Sequence, residues 1–121
     1  MRFLLTLSLL GWLGLASAGG LRLLLQSSPL AGSQYYAFAE FWPQMRVGDR
    51  LELIREPDNR HDANAIRVEW RGHMLGYVPR TENRVIAEAL DAGERLSARL
   101  SSVSDNKNPW RRLAFEVFIE L

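Results

Sequence analysis

AIRVEWRGHMLGYVP, residues 65–79, decides how the rest of the chain is read. Ile66, Val68 and Trp70 alternate with Arg67 and Glu69, so an extended segment here has one apolar and one charged face. Arg71-Gly72 follows as a two-residue turn, and HMLGYV supplies a second run of strand-forming residues. Two such runs around a short glycine-containing turn predict a β-hairpin. Gly76 inside the second run predicts a bulge or the close approach of another backbone. Pro79 ends the strand.

The flanking segments extend this reading. VGD, residues 47–49, is a turn before RLELIRE, where Leu51 and Leu53 alternate with Arg50 and Glu52. LRLLLQ, residues 21–26, reads as a strand buried on both faces, and SSPLAGS, residues 27–33, as the turn after it. The aromatic run YYAFAEFW, residues 35–42, suits a strand or a surface loop. TENRVIAEALDAG, residues 81–93, reads as a helix capped by Thr81 or Asn83 and ended at Gly93. Val85, Ile86, Ala89 and Leu90 would form its packing face. In ERLSARLSSV, Leu96, Ala98 and Leu100 alternate with Arg95, Ser97 and Arg99. SDNKNP is a polar turn, and WRRLAFEVFIEL closes the chain. Trp70 and Trp110 are expected in the core, and His73, beside the hairpin turn, in solvent. The expected fold is mainly β: about six short strands with one or two short helices, closed into a small OB-like barrel.

The first twenty residues stand apart. MRFLLTLSLLGWLGLASAGG has one basic residue, an apolar stretch from Phe3 to Leu15, and the small-residue pattern Ala16-Ser17-Ala18. That stretch is shorter than the roughly 20 residues of a membrane span. It reads as a signal peptide cleaved after Ala18, against the alternative of an uncleaved anchor. The expected division is residues 1–18 as signal peptide and 19–121 as a single domain. The product would be an exported bacterial-type protein, periplasmic or secreted, with no stable membrane span after cleavage.

Without Arg2 the chain carries 14 basic and 14 acidic residues. This balance argues against a strongly basic nucleic-acid binder, though a local basic patch is compatible with it. There is no cysteine, which excludes disulfides, cysteine zinc sites and thiol catalysis. No phosphate-cradling glycine loop and no G-x-S-x-G elbow is present.

REPDNRHDANAI, residues 55–66, joins the two central strands and is the densest ionisable stretch. Pro57-Asp58-Asn59 is turn chemistry, in which Asp and Asn side chains hydrogen-bond nearby backbone. Asp62 and Asn64 can do the same, and Glu56 can pair with an arginine. Asp58, His61 and Asp62 match no metal-ligand spacing.

The blocks GDRLELIREPDNRHDANAIRV, GHMLGYVPRTEN and ALDAGERLSARL, with LAGSQYYAF before them, resemble the HIRAN domain family over nearly the whole mature chain. The resemblance implies a modified OB-like barrel that grips the 3′ end of single-stranded DNA, with no cofactor, no metal and no catalytic residue of its own. ATPase, zinc and helicase functions in such proteins belong to fused domains. By the same resemblance Tyr35 would stack on a terminal base. Asn59, His61 and Asp62 match the loop positions that hold the end, with Asp62 receiving the 3′-hydroxyl. Tyr77 and Arg80 would meet base and phosphate; Arg55, Arg60 and Arg67 are further arginines within reach of phosphate. The chain departs from the family at Arg60-His61, where Pro-Tyr is frequent, and at Gln34, where a basic residue often stands. Two readings of function follow: a single-stranded nucleic-acid-binding module, or an exported protein- or ligand-interaction module that has lost nucleic-acid binding.

Overall fold

The computed structural model describes residues 20–121. The expected signal peptide, residues 1–18, lies outside the described residues. Six strands form one antiparallel sheet: β1 (Arg22–Pro29), β2 (Arg50–Arg55), β3 (Ile66–Trp70), β4 (His73–Tyr77), β5 (Leu96–Val103) and β6 (Leu113–Glu120), in the order β1-β6-β5-β2-β3-β4. Among the described residues, two α-helices, α1 (Phe38–Phe41) and α2 (Arg84–Asp91), and four 3₁₀ turns fill the connections.

The hairpin forms as its sequence dictates. Arg71 and Gly72 both take positive φ, 48° and 81°, as a turn matched to the twist of its strands requires. Ile66, Val68 and Trp70 are all buried, at about 1.5–3 kcal/mol per large apolar side chain. The Trp70 indole N–H donates to Asp49 Oδ2 at 3.0 Å, so the ring is buried without an orphaned donor. On β4 the pairing passes from Glu69↔Met74 to Val68↔Gly76, leaving Leu75 as a bulge residue.

The sheet is not closed into the expected barrel. Its edge strands are β1 and β4, and between them stands no ladder but an isolated bridge, Ala31↔Tyr77, with Ala31 two residues past the end of β1. Both of its hydrogen bonds are 2.9 Å long. The ladder between β1 and β6 stops at Pro29, and the chain turns into the 3₁₀ segment Ser33–Tyr35. Past Pro29, Ala31 reaches β4 at Tyr77 and Ala37 reaches it at Met74, whose carbonyl accepts the Ala37 N–H at 3.0 Å. The Gln26 amide spans the remaining gap, donating to the Glu82 carbonyl at 2.7 Å.

Several local expectations are corrected. β1 is not buried on both faces: Leu21, Leu23 and Leu24 are exposed, because β1 is an edge strand paired only to β6. It also runs to Pro29, through residues expected to turn. YYAFAEFW is helical rather than strand or loop, through the 3₁₀ segment Ser33–Tyr35, α1 and the 3₁₀ segment Trp42–Gln44. The spacing of Phe38, Phe41 and Trp42 puts all three against the core, whereas Tyr35 points out. In α2 the buried positions are Ile86 and Ala87, with Leu90 half-buried, and Val85 is exposed. Trp110 is exposed on the 3₁₀ turn Pro109–Arg111. His73 is not free in solvent; it is half-buried and stacked on Phe41, with ring centroids 3.9 Å apart.

Candidate functional site

The loop from Glu56 to Ala65 is built around two of its own side chains. Asn59 is spent in both directions. Its Oδ1 accepts from the backbone N–H of His61 at 2.9 Å and of Asp62 at 3.2 Å, and its Nδ2 donates to Glu56 Oε1 at 3.0 Å. Asp62 Oδ1 accepts from the Asn64 N–H at 2.9 Å, the turn bond expected of it. Arg55 fastens the loop from outside. Its Nη1 donates to the carbonyls of Ala63 and Ala65, both at 3.0 Å, while Nε and Nη2 hold the Asp91 carboxylate at the end of α2.

Glu56 is the hub between this loop and the hairpin. Oε1 accepts from the Tyr77 hydroxyl at 2.8 Å and from Asn59, and Oε2 takes Arg67 Nη1 at 3.0 Å. Burial by itself would raise the Glu56 carboxyl, but the hydrogen bonds from Asn59 and Tyr77 and the Arg67 charge outweigh it and hold the group below its ordinary range. The Tyr77 hydroxyl is pushed up to about 12, first by burial and then by its bond to the Glu56 carboxylate. Tyr77 is therefore a fixed, neutral ring. Tyr36 meets it edge-on, with centroids 6.1 Å apart and planes at 65°.

These elements line a solvent-open cavity of about 250 Å³. Ala31, Ala65, Val78 and the rings of Tyr36 and Tyr77 make its apolar wall. Asn59, His61, Asp62 and Arg80 supply the polar part. The volume falls just below the range of drug-sized sites, so it suits one end group of a larger molecule. The chemistry available is aromatic surface, a carboxylate acceptor, an imidazole at the rim and a guanidinium.

Of the six residues singled out in the sequence, five converge here: Asn59, His61, Asp62, Tyr77 and Arg80. Tyr35 does not line the cavity; it is 76% exposed on the neighbouring 3₁₀ turn, and Tyr36 takes the place at the wall. The four arginines near the site separate into two kinds. Arg55 and Arg67 are consumed by Asp91 and Glu56, whereas Arg60 and Arg80 are exposed and make no side-chain hydrogen bond among the described residues. Among those residues, no three His, Asp or Glu side chains converge as a metal would require.

Three residues that build the site went unrecognised as such in the sequence: Tyr36, Glu56 and Asn83. Glu56 was readable only as a partner for an arginine; its role as hub depends on Tyr77, 21 positions away. Asn83, with Thr81 one of the two residues expected to cap α2, makes no cap bond with its side chain. Nδ2 donates instead to Asp62 Oδ2 at 2.7 Å.

The comparisons with known proteins agree with this architecture. A crystal structure of a protein from Lactobacillus plantarum superposes with a TM-score of 0.74 at 28% identity, covering 84% of this chain and 98% of that one. The crystal structure of the HIRAN domain of human HLTF superposes with a TM-score of 0.60 at 19% identity, covering 84% and 79%. The Fanconi-associated nuclease 1 homolog of Oryza sativa subsp. japonica is 38% identical over 52 residues, which make up 40% of this chain and only 5% of that protein. The family model for the HIRAN domain matches residues 23–121, nearly all that the structure describes, and this chain belongs to the HIRAN domain family.

Proposed function

We propose that this domain is a non-catalytic module that holds the 3′ end of a single-stranded nucleic acid in the cavity between the 56–65 loop and β4. HIRAN domains bind nucleic acid, and the observation that carries the finer reading is the convergence of an aromatic wall, the Asp62 acceptor and the free Arg80 guanidinium on one small cavity. A terminal base lies against Tyr36 and Tyr77, with stacking worth about 1–3 kcal/mol for the base. The terminal hydroxyl donates to Asp62. Arg80, with Arg60 beyond the rim, meets the last phosphates, so affinity falls as salt rises. The near-zero net charge keeps the interaction weak away from the cavity. Tyr35, beside the site rather than in it, offers its exposed ring to the next base.

The test is fluorescence anisotropy with residues 19–121 and two oligonucleotides that differ only in a 3′-hydroxyl or 3′-phosphate. The hydroxyl-ended strand is expected to bind more tightly, and Asp62→Ala to weaken it roughly tenfold, the size of one charged hydrogen bond. Equal binding of the two strands, or no binding even at low salt, would sink this reading.

The leader MRFLLTLSLLGWLGLASA supports a second part of the proposal: the domain is exported and meets its nucleic acid outside the cytoplasm. No helix among the described residues is long and apolar enough to cross a membrane. A reporter that is active only after export, fused behind Ala18, is expected to be active. A reporter that stays inside the cell removes this part and leaves the strand-end reading intact.

A further inference from the structure

We infer that Asn83 is the positioning residue of this site, holding the Asp62 carboxylate in the orientation in which it accepts the terminal hydroxyl. The inference rests on the reading of the cavity as a strand-end site.

Asn83 is 2% exposed and stands at the start of α2, where its carbonyl accepts the first helical bond, from Ala87 N–H at 2.9 Å. An asparagine at this position ordinarily turns its side chain back to cap the helix. Here the backbone is already helical, at φ −92° and ψ −12°, because the 3₁₀ turn Arg80–Glu82 runs directly into α2. The side chain is left free to point away, and Nδ2 reaches Asp62 Oδ2 at 2.7 Å. The carboxylate accepts only, so the assignment of Nδ2 as the bonded atom follows from chemistry.

The consequence for Asp62 is specific. Each of its oxygens holds one N–H: Oδ2 that of Asn83, Oδ1 that of the Asn64 backbone. A carboxylate has about four acceptor positions, so acceptor capacity remains for an incoming hydroxyl. Rotating the carboxylate away would break one of the two bonds. An arginine in place of Asn83 would claim both oxygens as a bidentate pair; a single neutral donor holds the group without consuming it.

Arg80 stands three residues earlier, on the 3₁₀ turn Arg80–Glu82 that leads into α2, and lines the same cavity. Asn83 thereby joins the loop that carries the acceptor to the turn that carries Arg80, without holding the exposed Arg80 side chain itself. Its neighbours have other partners: the Glu82 carbonyl holds the Gln26 amide, and Arg84 pairs with Glu88 on the helix surface.

The experiment compares wild type, Asn83→Ala, Asp62→Ala and the double variant against the hydroxyl-ended and phosphate-ended strands, with a thermal melt of each protein. Asn83→Ala is expected to weaken the hydroxyl-ended strand roughly tenfold and the phosphate-ended strand less than about twofold, and the double variant to bind no worse than Asp62→Ala alone. Asn83→Ser, compatible with a helix start but too short to reach Asp62, is expected to lose the same preference at a melting temperature closer to wild type. Equal weakening of both strands in step with falling stability, or losses that add in the double variant, would make Asn83 an ordinary structural residue and overturn the inference alone. Wild-type protein that binds neither strand, or both equally, overturns the strand-end reading and the positioning role with it.

Discussion

Gly76→Ala is expected to destabilise the domain by about 3 kcal/mol or more, beyond the ordinary range for one added methyl group. For a domain of this size the thermal midpoint falls roughly 4–8 °C for each kcal/mol. A Cβ at position 76 would stand 2.2 Å from the Ala31 carbonyl oxygen and 3.2 Å from two side-chain carbons of Leu30. The oxygen has no easy retreat, because it accepts the Tyr77 N–H in the bridge that joins the two sheet edges. Leu30 is wholly buried and cannot swing aside. The φ of +155° adds backbone strain for any residue with a side chain. The bridge also forms one wall of the cavity, through Ala31 and Tyr77, so oligonucleotide binding should weaken along with stability. Gly93→Ala is the matched comparison. It too has positive φ, but nothing lies within 4 Å of its added Cβ, so only the local backbone cost of about 1–2 kcal/mol applies. Chemical denaturation of the two variants beside wild type decides it, and a Gly76→Ala protein as stable as Gly93→Ala would refute the close-approach argument.

Position 76 also shows which parts of this fold were legible in the sequence. A glycine inside a well-patterned strand has few explanations, and both of those offered, bulge and close approach, are realised at the same place. The hairpin was legible because Ile66, Val68 and Trp70 alternate strictly and each is buried. The segment 35–42 was not, because seven of its eight residues are aromatic or alanine, and such a run fits strand, loop or helix until a core is present to select a period. The same ambiguity hid the choice between Tyr35 and Tyr36. Tyr35 ends the 3₁₀ turn and Tyr36 follows it in extended backbone, so the two rings point in different directions and the turn's end point decides that Tyr36 reaches Tyr77. Barrel closure failed for a long-range reason: six strands of suitable length do not reveal that the ladder of β1 gives out at Pro29 before it can run along β4. Asn59, His61 and Asp62 were singled out through the family resemblance of their loop, and their short spacing on it brings them to one cavity. Glu56 and Asn83 were not, because each acts through a partner 21 positions away.

Glu56→Gln is expected to cost about 1–3 kcal/mol at neutral pH, as the amide keeps one acceptor but loses the charge that binds Arg67. Its pH dependence identifies the cause. The Glu56 carboxyl lies below its ordinary range in the folded protein, so its contribution is fully present above the unfolded value, about 4.3, and is lost as pH falls from there through the folded value. The stability gap between wild type and Glu56→Gln should therefore be constant from pH 6 to 8 and narrow steadily below about pH 4.3. Tyr77 contributes a limb of opposite sense. Its hydroxyl is raised to about 12, so the stability tied to the neutral ring is present below the unfolded value near 10 and is lost between there and the folded value. Burial is the first cause of that shift and survives the substitution, whereas the carboxylate's share does not, so Glu56→Gln should soften the alkaline loss without abolishing it. Urea midpoints of the two proteins at pH 3.5, 7 and 11 test both limbs. A gap that stays constant into acid would mean that Glu56 is no hub, and that the loop carrying Asn59 and Asp62 is held to β4 by something other than the Glu56–Tyr77–Arg67 cluster. With the hub in place, the ring of Tyr77 and the acceptor of Asp62 are parts of one network, and loosening Glu56 should weaken strand-end binding even though Glu56 itself does not line the cavity.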